Sequence, residues 1–242
     1  MEKRVVKQPA LSEEILWKFR KKELIWIILA ILFFWLVIGI SYNSEKQTLN
    51  FGLNPLLLLV VAIIIIINVI AKKIAAPRYS SKIEHDLWWF QRWGVYKRSY
   101  FSKPLPMGII FPLIISVLSL GYIKPMVFLQ YNAENDYPRR ILKKQGTRRA
   151  QRKIELNEVD MAFISAYGFY SLLFLAIIGA VLASRFDVKL GYDLAKYSIF
   201  YGAWNLIPFG NLDGAKTLYG SPYAWTFLAV FYLIALLLVV VF

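Results

Sequence analysis

Apolar residues come in long blocks separated by short charged stretches. That is the pattern of a chain whose backbone must be satisfied in helices within a bilayer. Residues 24–42 form an uninterrupted apolar run, about 28 Å long as a helix and enough to cross the hydrocarbon core. Residues 55–71 follow, with consecutive isoleucines from Ile63 to Ile67, and predict a second span. Residues 107–129 are apolar too, but Pro112, Gly121, Lys124 and Pro125 interrupt them. A lipid-facing helix tolerates such breaks only beside protein neighbours that satisfy the freed backbone groups, so a broken or re-entrant hairpin is expected. Residues 161–183 predict a clean span, 197–212 a short one broken by Pro208, and 223–242 another. The expected fold is all-α and polytopic, about five transmembrane helices plus the hairpin.

Charge assigns the sides. Segments 1–23, 72–105 and 129–160 hold seven, eight and eight of the 29 lysines and arginines. Basic residues collect in cytoplasmic loops. All three segments share that side only if 107–129 enters and leaves on one face, with the amino terminus inside. The expected organisation is a basic cytoplasmic tail over 1–23 and a single transmembrane domain over 24–242, integral to the cell membrane. Leu11, Ile15, Leu16 and Phe19 would share one face of an interfacial helix in the tail; an ordinary basic tail is the other reading. No signal peptide is recognisable, because the first apolar run is long and lacks a small-residue cleavage pattern.

Composition narrows the chemistry. The 242 residues are 58% hydrophobic and carry a net charge of +14, with no cysteine and one histidine, His85. Disulfides, thiolate metal sites and any site needing two imidazoles are thereby excluded. The cluster Arg139, Arg140, Lys143, Lys144, Arg148, Arg149, Arg152 and Lys153 would attract anionic lipid or nucleic acid. It lacks interleaved aromatic residues, so nucleic acid is disfavoured. Trp88, Trp89, Trp93, Tyr96 and Tyr100 suit a membrane interface.

The stretch from Trp204 to Gly214 places a proline break and a carboxylate, Asp213, inside an apolar segment. An ionisable group at such depth points to function, although Asp213 could instead cap a helix restarting at Gly214. Asn205, Pro208, Leu212, Asp213 and Gly214 resemble the Asn-x-x-Pro…Leu-Asp-Gly motif of the site-2 protease type of intramembrane zinc metallopeptidase, particularly its compact archaeal members. The resemblance implies that Asp213 stands where the family has its third zinc ligand. Asn211 stands where a proline is usual.

The family's other half-site is His-Glu-x-x-His on a helix, which puts two imidazoles on one face toward the metal and a glutamate on its water. Gln91-Arg92-Trp93-Gly94 resembles the end of the phrase that follows it. Counting back puts Lys82 and Asp86 at the histidine positions and Ile83 at the glutamate. Moving the register by three residues brings His85 into the first slot, but Trp89 then fills the second. Ser165-Ala166-Tyr167-Gly168-Phe169 lies where the family has Gly-Pro-x-x-Asn. The resemblance therefore implies a pseudopeptidase, without catalytic residues or metal, that binds a transmembrane client or partner. Lys82 is expected to pair with Asp213 in place of the metal. The runner-up is an active peptidase holding zinc at a noncanonical site, with His85 and Asp213 as fallback ligands beside Glu84 and Asp86. A third reading is a lipid- or solute-handling membrane protein.

Overall fold

The computed structural model describes residues 19–43, 48–79, 81–92, 100–135 and 157–241. The tail to residue 18, the aromatic residues Trp93 and Tyr96, and the basic cluster from 139 to 153 lie outside them. Helix α1 is Lys21–Gly39. A ladder of β1 (Ile40–Asn43) and β2 (Thr48–Phe51) leads to α2, Pro55–Ala75. Asn54 starts α2 by accepting a hydrogen bond from the Leu56 N–H at 3.0 Å, with Pro55 in the first turn. After a 3-10 turn at Ala76–Tyr79 come β3 (Ser81–Leu87), β4 (Phe90–Arg92) and β5 (Tyr100–Leu105). Helix α3 (Met107–Leu118) and strand β6 (Leu129–Asn135) precede α4 (Glu158–Phe186), α5 (Lys189–Leu206), α6 (Asp213–Gly220) and α7 (Pro222–Val241).

Four of these helices are long and apolar enough to cross a membrane: α1, α2 with its 3-10 extension, α4 and α7. The short span expected over 197–212 is part of α5, which begins at Lys189, carries Asp193 and Lys196, and stops at Leu206. The described residues are mostly helical, and three two-stranded antiparallel ladders among them, β1–β2, β3–β6 and β4–β5, accompany the helices. Strand β3 buries Ser81, Ile83, His85 and Leu87 and turns Lys82 outward, the period-two alternation of a half-buried strand.

Residues 107–129 make an excursion that begins and ends at one place. The Trp88 N–H donates to the Phe128 carbonyl at 2.9 Å, and the Gly108 N–H donates to the Trp88 carbonyl at 2.9 Å. A Cβ on Gly108 would lie 2.3 Å from the Phe128 oxygen, so only glycine lets the two limbs meet there. The far end turns through Leu120 and Gly121, both at positive φ, against Ile40 at the end of α1. Lys124 Nζ donates to the Ile38 carbonyl there at 2.6 Å. The start of α1 instead contacts β3, through Glu23 and His85. The excursion thus runs the length of α1 and returns.

One apolar core packs Phe34 of α1 and Val60, Ile64 and Ile65 of α2 against Leu194 and Tyr201 of α5. A second joins Phe169, Ile199, Leu228 and Tyr232 from α4, α5 and α7. Helices α4 and α5 meet through small residues: a Cβ on Gly179 would be 2.6 Å from the Ala195 nitrogen, and one on Gly191 2.6 Å from that of Ala183. Such seams let backbones approach where lipid gives helices no hydrophobic reason to associate.

Ladder β1–β2 lies at the end of α1 opposite to β3 and the base of the hairpin. Single cysteines in place of Ser41 and Ser102 should therefore react with an impermeant maleimide from opposite sides of sealed vesicles. Labelling from the same side would contradict this arrangement.

Candidate functional site

An ionic cluster is built inward from the end of α2. Asn68 and Lys72, four residues apart, share one helical face. Asn68 Nδ2 donates to the Gly168 carbonyl of α4 at 3.2 Å. Lys72 Nζ donates to Asp213 Oδ2 at the start of α6, and both side chains are about 95% buried. Gly168 makes the room: a Cβ there would stand 2.5 Å from Lys72 Cε. A buried charge is tolerable only with such a partner.

Lys73 is turned about 100° from Lys72 and meets α1 instead, its Nζ 2.7 Å from Glu23 Oε2 and 3.9 Å from the Phe19 ring centre. The other oxygen of Glu23 accepts both the His85 backbone N–H and its ring Nδ1, each at 3.1 Å. A carboxylate paired with a lysine can only accept, so His85 carries its proton on Nδ1. Its Nε2, like Asp213 Oδ1, has no hydrogen-bond partner among the described residues. Burial pushes the His85 imidazole down to about 4, outweighing the hydrogen bond to Glu23, which acts in the opposite sense.

Tyr131 of β6 faces His85 across the ladder. Its hydroxyl donates to the Met161 carbonyl at 2.8 Å and is 2.8 Å from Ser165 Oγ. Lys216 of α6 lies 3.4 Å from the Tyr131 ring centre and donates to the Tyr131 carbonyl. Burial depresses the Lys216 ammonium to about 7, with Asp213 opposing that shift and Lys72 reinforcing it. The outward N–H of His85 and the outward carbonyl of Tyr131 both already have side-chain partners, Glu23 and Lys216. The centre of the β3–β6 ladder is therefore closed to strand addition on both edges.

The 205–214 motif has a structural explanation at each position. Asn205 Nδ2 donates to the Met126 carbonyl at 3.1 Å and to the Tyr201 carbonyl at 2.8 Å, tying α5 to the return limb of the hairpin. Helix α5 ends before Pro208, and its freed Leu206 carbonyl accepts from Trp225 Nε1 at 2.9 Å. Leu212 packs with Trp88 and Val127. A Cβ on Gly214 would lie 2.1 Å from the Leu206 oxygen, so α6 can dock there only with glycine. The capping reading of Asp213 is corrected: α6 begins at Asp213 itself, Leu212 is its N-cap residue, and the carboxylate turns to Lys72.

The sequence-expected positions 82–86 lie on strand β3, where helical spacing does not apply. Lys82 is exposed opposite Glu134, and the partner of Asp213 is Lys72 rather than Lys82. Ile83 is buried with Ala75, Ala76, Tyr131 and Ile164. Asp86 Oδ1 accepts from the Leu87 N–H at 2.8 Å and from Trp89 Nε1 at 3.2 Å. Glu84 pairs with Arg20 at 3.0 Å on the surface. Among the described residues no three of His, Asp and Glu converge as a metal would require. His85 is held by Glu23, and Asp213 by the Lys72 ammonium.

The residues missed from sequence are Glu23, Asn68, Lys72, Lys73, Tyr131 and Lys216. The available signal was Asn68, a polar residue inside an isoleucine-rich run, with Lys72 four positions later.

Replacing Lys72 by methionine leaves Asp213 unpaired and should cost about 3 to 5 kcal/mol of stability. Lys72→Met combined with Asp213→Asn should recover much of that loss in thermal unfolding in detergent; simple additivity would deny the coupling. For His85 the sign runs toward acid instability. It is neutral when folded and takes up a proton on unfolding below pH 6.5. Its contribution should be intact above pH 6.5 and be lost as pH falls to about 4, by on the order of 3 kcal/mol. His85→Gln should flatten that part of the profile.

No family model, no curated protein and no solved structure matches this chain.

Proposed function

We propose that this chain is a non-hydrolysing membrane protein of site-2-protease-like design, in which an internal ion pair replaces the metal and whose work is to hold a transmembrane client or partner. The observation that carries this reading is the buried Lys72–Asp213 pair. Asn68 and Lys72 present the i, i+4 spacing of two helix-borne ligands, the second of them meets Asp213, and Val69 stands where a general base would follow the first. An amide and an ammonium cannot serve as the zinc-binding imidazoles, and valine cannot activate water.

Client binding is then a matter of packing in the bilayer. Helix α7 is the least buried of the four long apolar helices. Tyr223, Val230, Leu233 and Leu237 project from it as large exposed apolar groups. Orientation follows from the basic segments: the end bearing Lys21, Lys73 and β3 faces the cytoplasm, in the cell membrane.

Two measurements test the reading. Purified wild-type protein should hold no stoichiometric zinc, whereas the triple variant Asn68→His, Val69→Glu, Lys72→His should acquire about one zinc per chain if α2 and Asp213 frame the ancestral site. Zinc in the wild type, lost in Asp213→Ala, would favour the active-peptidase reading. Co-reconstituted with a fluorescent single-span helix, the wild type should give energy transfer above random mixing and leave the helix uncut.

A further inference from the structure

A groove of about 1090 Å³ opens laterally between the second half of α4, the first half of α5 and the second half of α7. It is separate from the ionic cluster. Its walls are apolar along most of their length, with Leu173, Ile177, Phe231 and Leu238 among them, and its polar lining gathers where α4 gives way to α5. On α4 it extends from Tyr170 to Asp187, about 25 Å of helix.

We propose that this groove is a phospholipid site, with acyl chains lying along α4 and α7 and an anionic headgroup at the α4–α5 junction. Three observations argue for that occupant. Lys189, Tyr192 and Lys196 fall at i, i+3 and i+7, so one face of α5 presents two ammonium groups and a phenol to the groove. Against them stand Asp187 in the lining and Asp193 beside both lysines on α5, while Lys124 adds a third ammonium within electrostatic reach of Lys196, which leaves the polar end net positive. The α5 amino terminus opens at the same place, and Val188 supplies it no side-chain cap, so its first N–H groups add to the positive potential. Lys189 is exposed and Lys196 half-buried with its Nζ 5.7 Å from the Tyr192 ring centre, so both ammonium groups are placed to reach a phosphate.

The charged end distinguishes this occupant from the principal rival, a transmembrane helix, whose apolar side chains would bring no anion to Lys189 and Lys196. One leaflet's acyl chains span about 15 Å, so they fit within the groove's length. The proposal does not depend on the pseudopeptidase reading, since none of these residues belongs to the ionic cluster.

The test uses delipidated full-length protein in detergent, titrated with phosphatidylglycerol or with phosphatidylcholine of the same acyl chains and observed by native mass spectrometry. Phosphatidylglycerol should be retained at about one per chain, in preference to phosphatidylcholine. The double variant Lys189→Gln, Lys196→Gln should lower phosphatidylglycerol retention roughly tenfold or more, with its melting temperature unchanged. Ala180→Trp, at an exposed lining position, should reduce retention of both lipids by filling the groove. Equal retention of the two lipids, insensitivity to the lysine substitutions, or retention unaffected by Ala180→Trp would each overturn the proposal. So would one-to-one binding of a fluorescent single-span helix that persists in the double variant Lys189→Gln, Lys196→Gln and is lost in Ala180→Trp, which would make the groove a helix site.

Discussion

The Lys72–Asp213 ion pair is the constraint around which the interior is arranged. Neither charge is tolerable alone at that depth, so every element that carries or makes room for one is fixed relative to the other. Helix α2 must present Lys72 toward α6, α4 must offer Gly168 beside it, and α6 must start close enough to α5 that Gly214 lies against the Leu206 carbonyl. A pair of this kind adds little net stability, since desolvation consumes most of the Coulomb attraction. What it contributes is specificity: a rotation of α2 by one residue would bring Lys73 to Asp213 and strand Glu23.

Glu23 carries the same logic to the other side of α2. Its two oxygens join Lys73 of α2 and His85 of β3, so one carboxylate fixes the start of α1 to both. On the opposite edge of the ladder Lys216 performs the corresponding role at Tyr131. Two adjacent lysines on one helix thus use the 100° step between them to address two neighbours. The short β3–β6 ladder sits between the two ionic contacts as the element both of them hold.

How much of this was legible in the sequence follows from what each feature depends on. The apolar runs were readable because the bilayer acts on local composition, and the excursion over 107–129 because Pro112, Gly121 and Pro125 rule out a regular span. The break at Pro208 was readable for the same reason. The site was only half readable. Asp213 stood out as a carboxylate in an apolar stretch, whereas Lys72 and Lys73 look like ordinary flanking cations at the end of a run, and nothing along the chain separates a buried lysine from one that snorkels. Counting back from Gln91-Arg92-Trp93-Gly94 with helical spacing then failed, because Ser81–Leu87 is a strand with alternating burial. The expectation of a cation facing Asp213 was chemically sound; the residue that supplies it lies ten positions earlier, where tertiary geometry decides.

An interior closed in this way directs interactions outward. With Asp213 held by Lys72, and the ladder edges capped at their centres by Glu23 and Lys216, a bound peptide would have to displace ionic contacts before gaining backbone hydrogen bonds of its own. Each displaced partner would leave a buried charge, and one unmatched charge costs more than a neutral hydrogen bond returns. The outer sides of α4 and α7 impose no such toll, since the large groups they expose are mostly apolar. Association there exchanges lipid contacts for protein contacts at nearly equal energy, so shape and a few polar groups at the membrane boundary decide what binds.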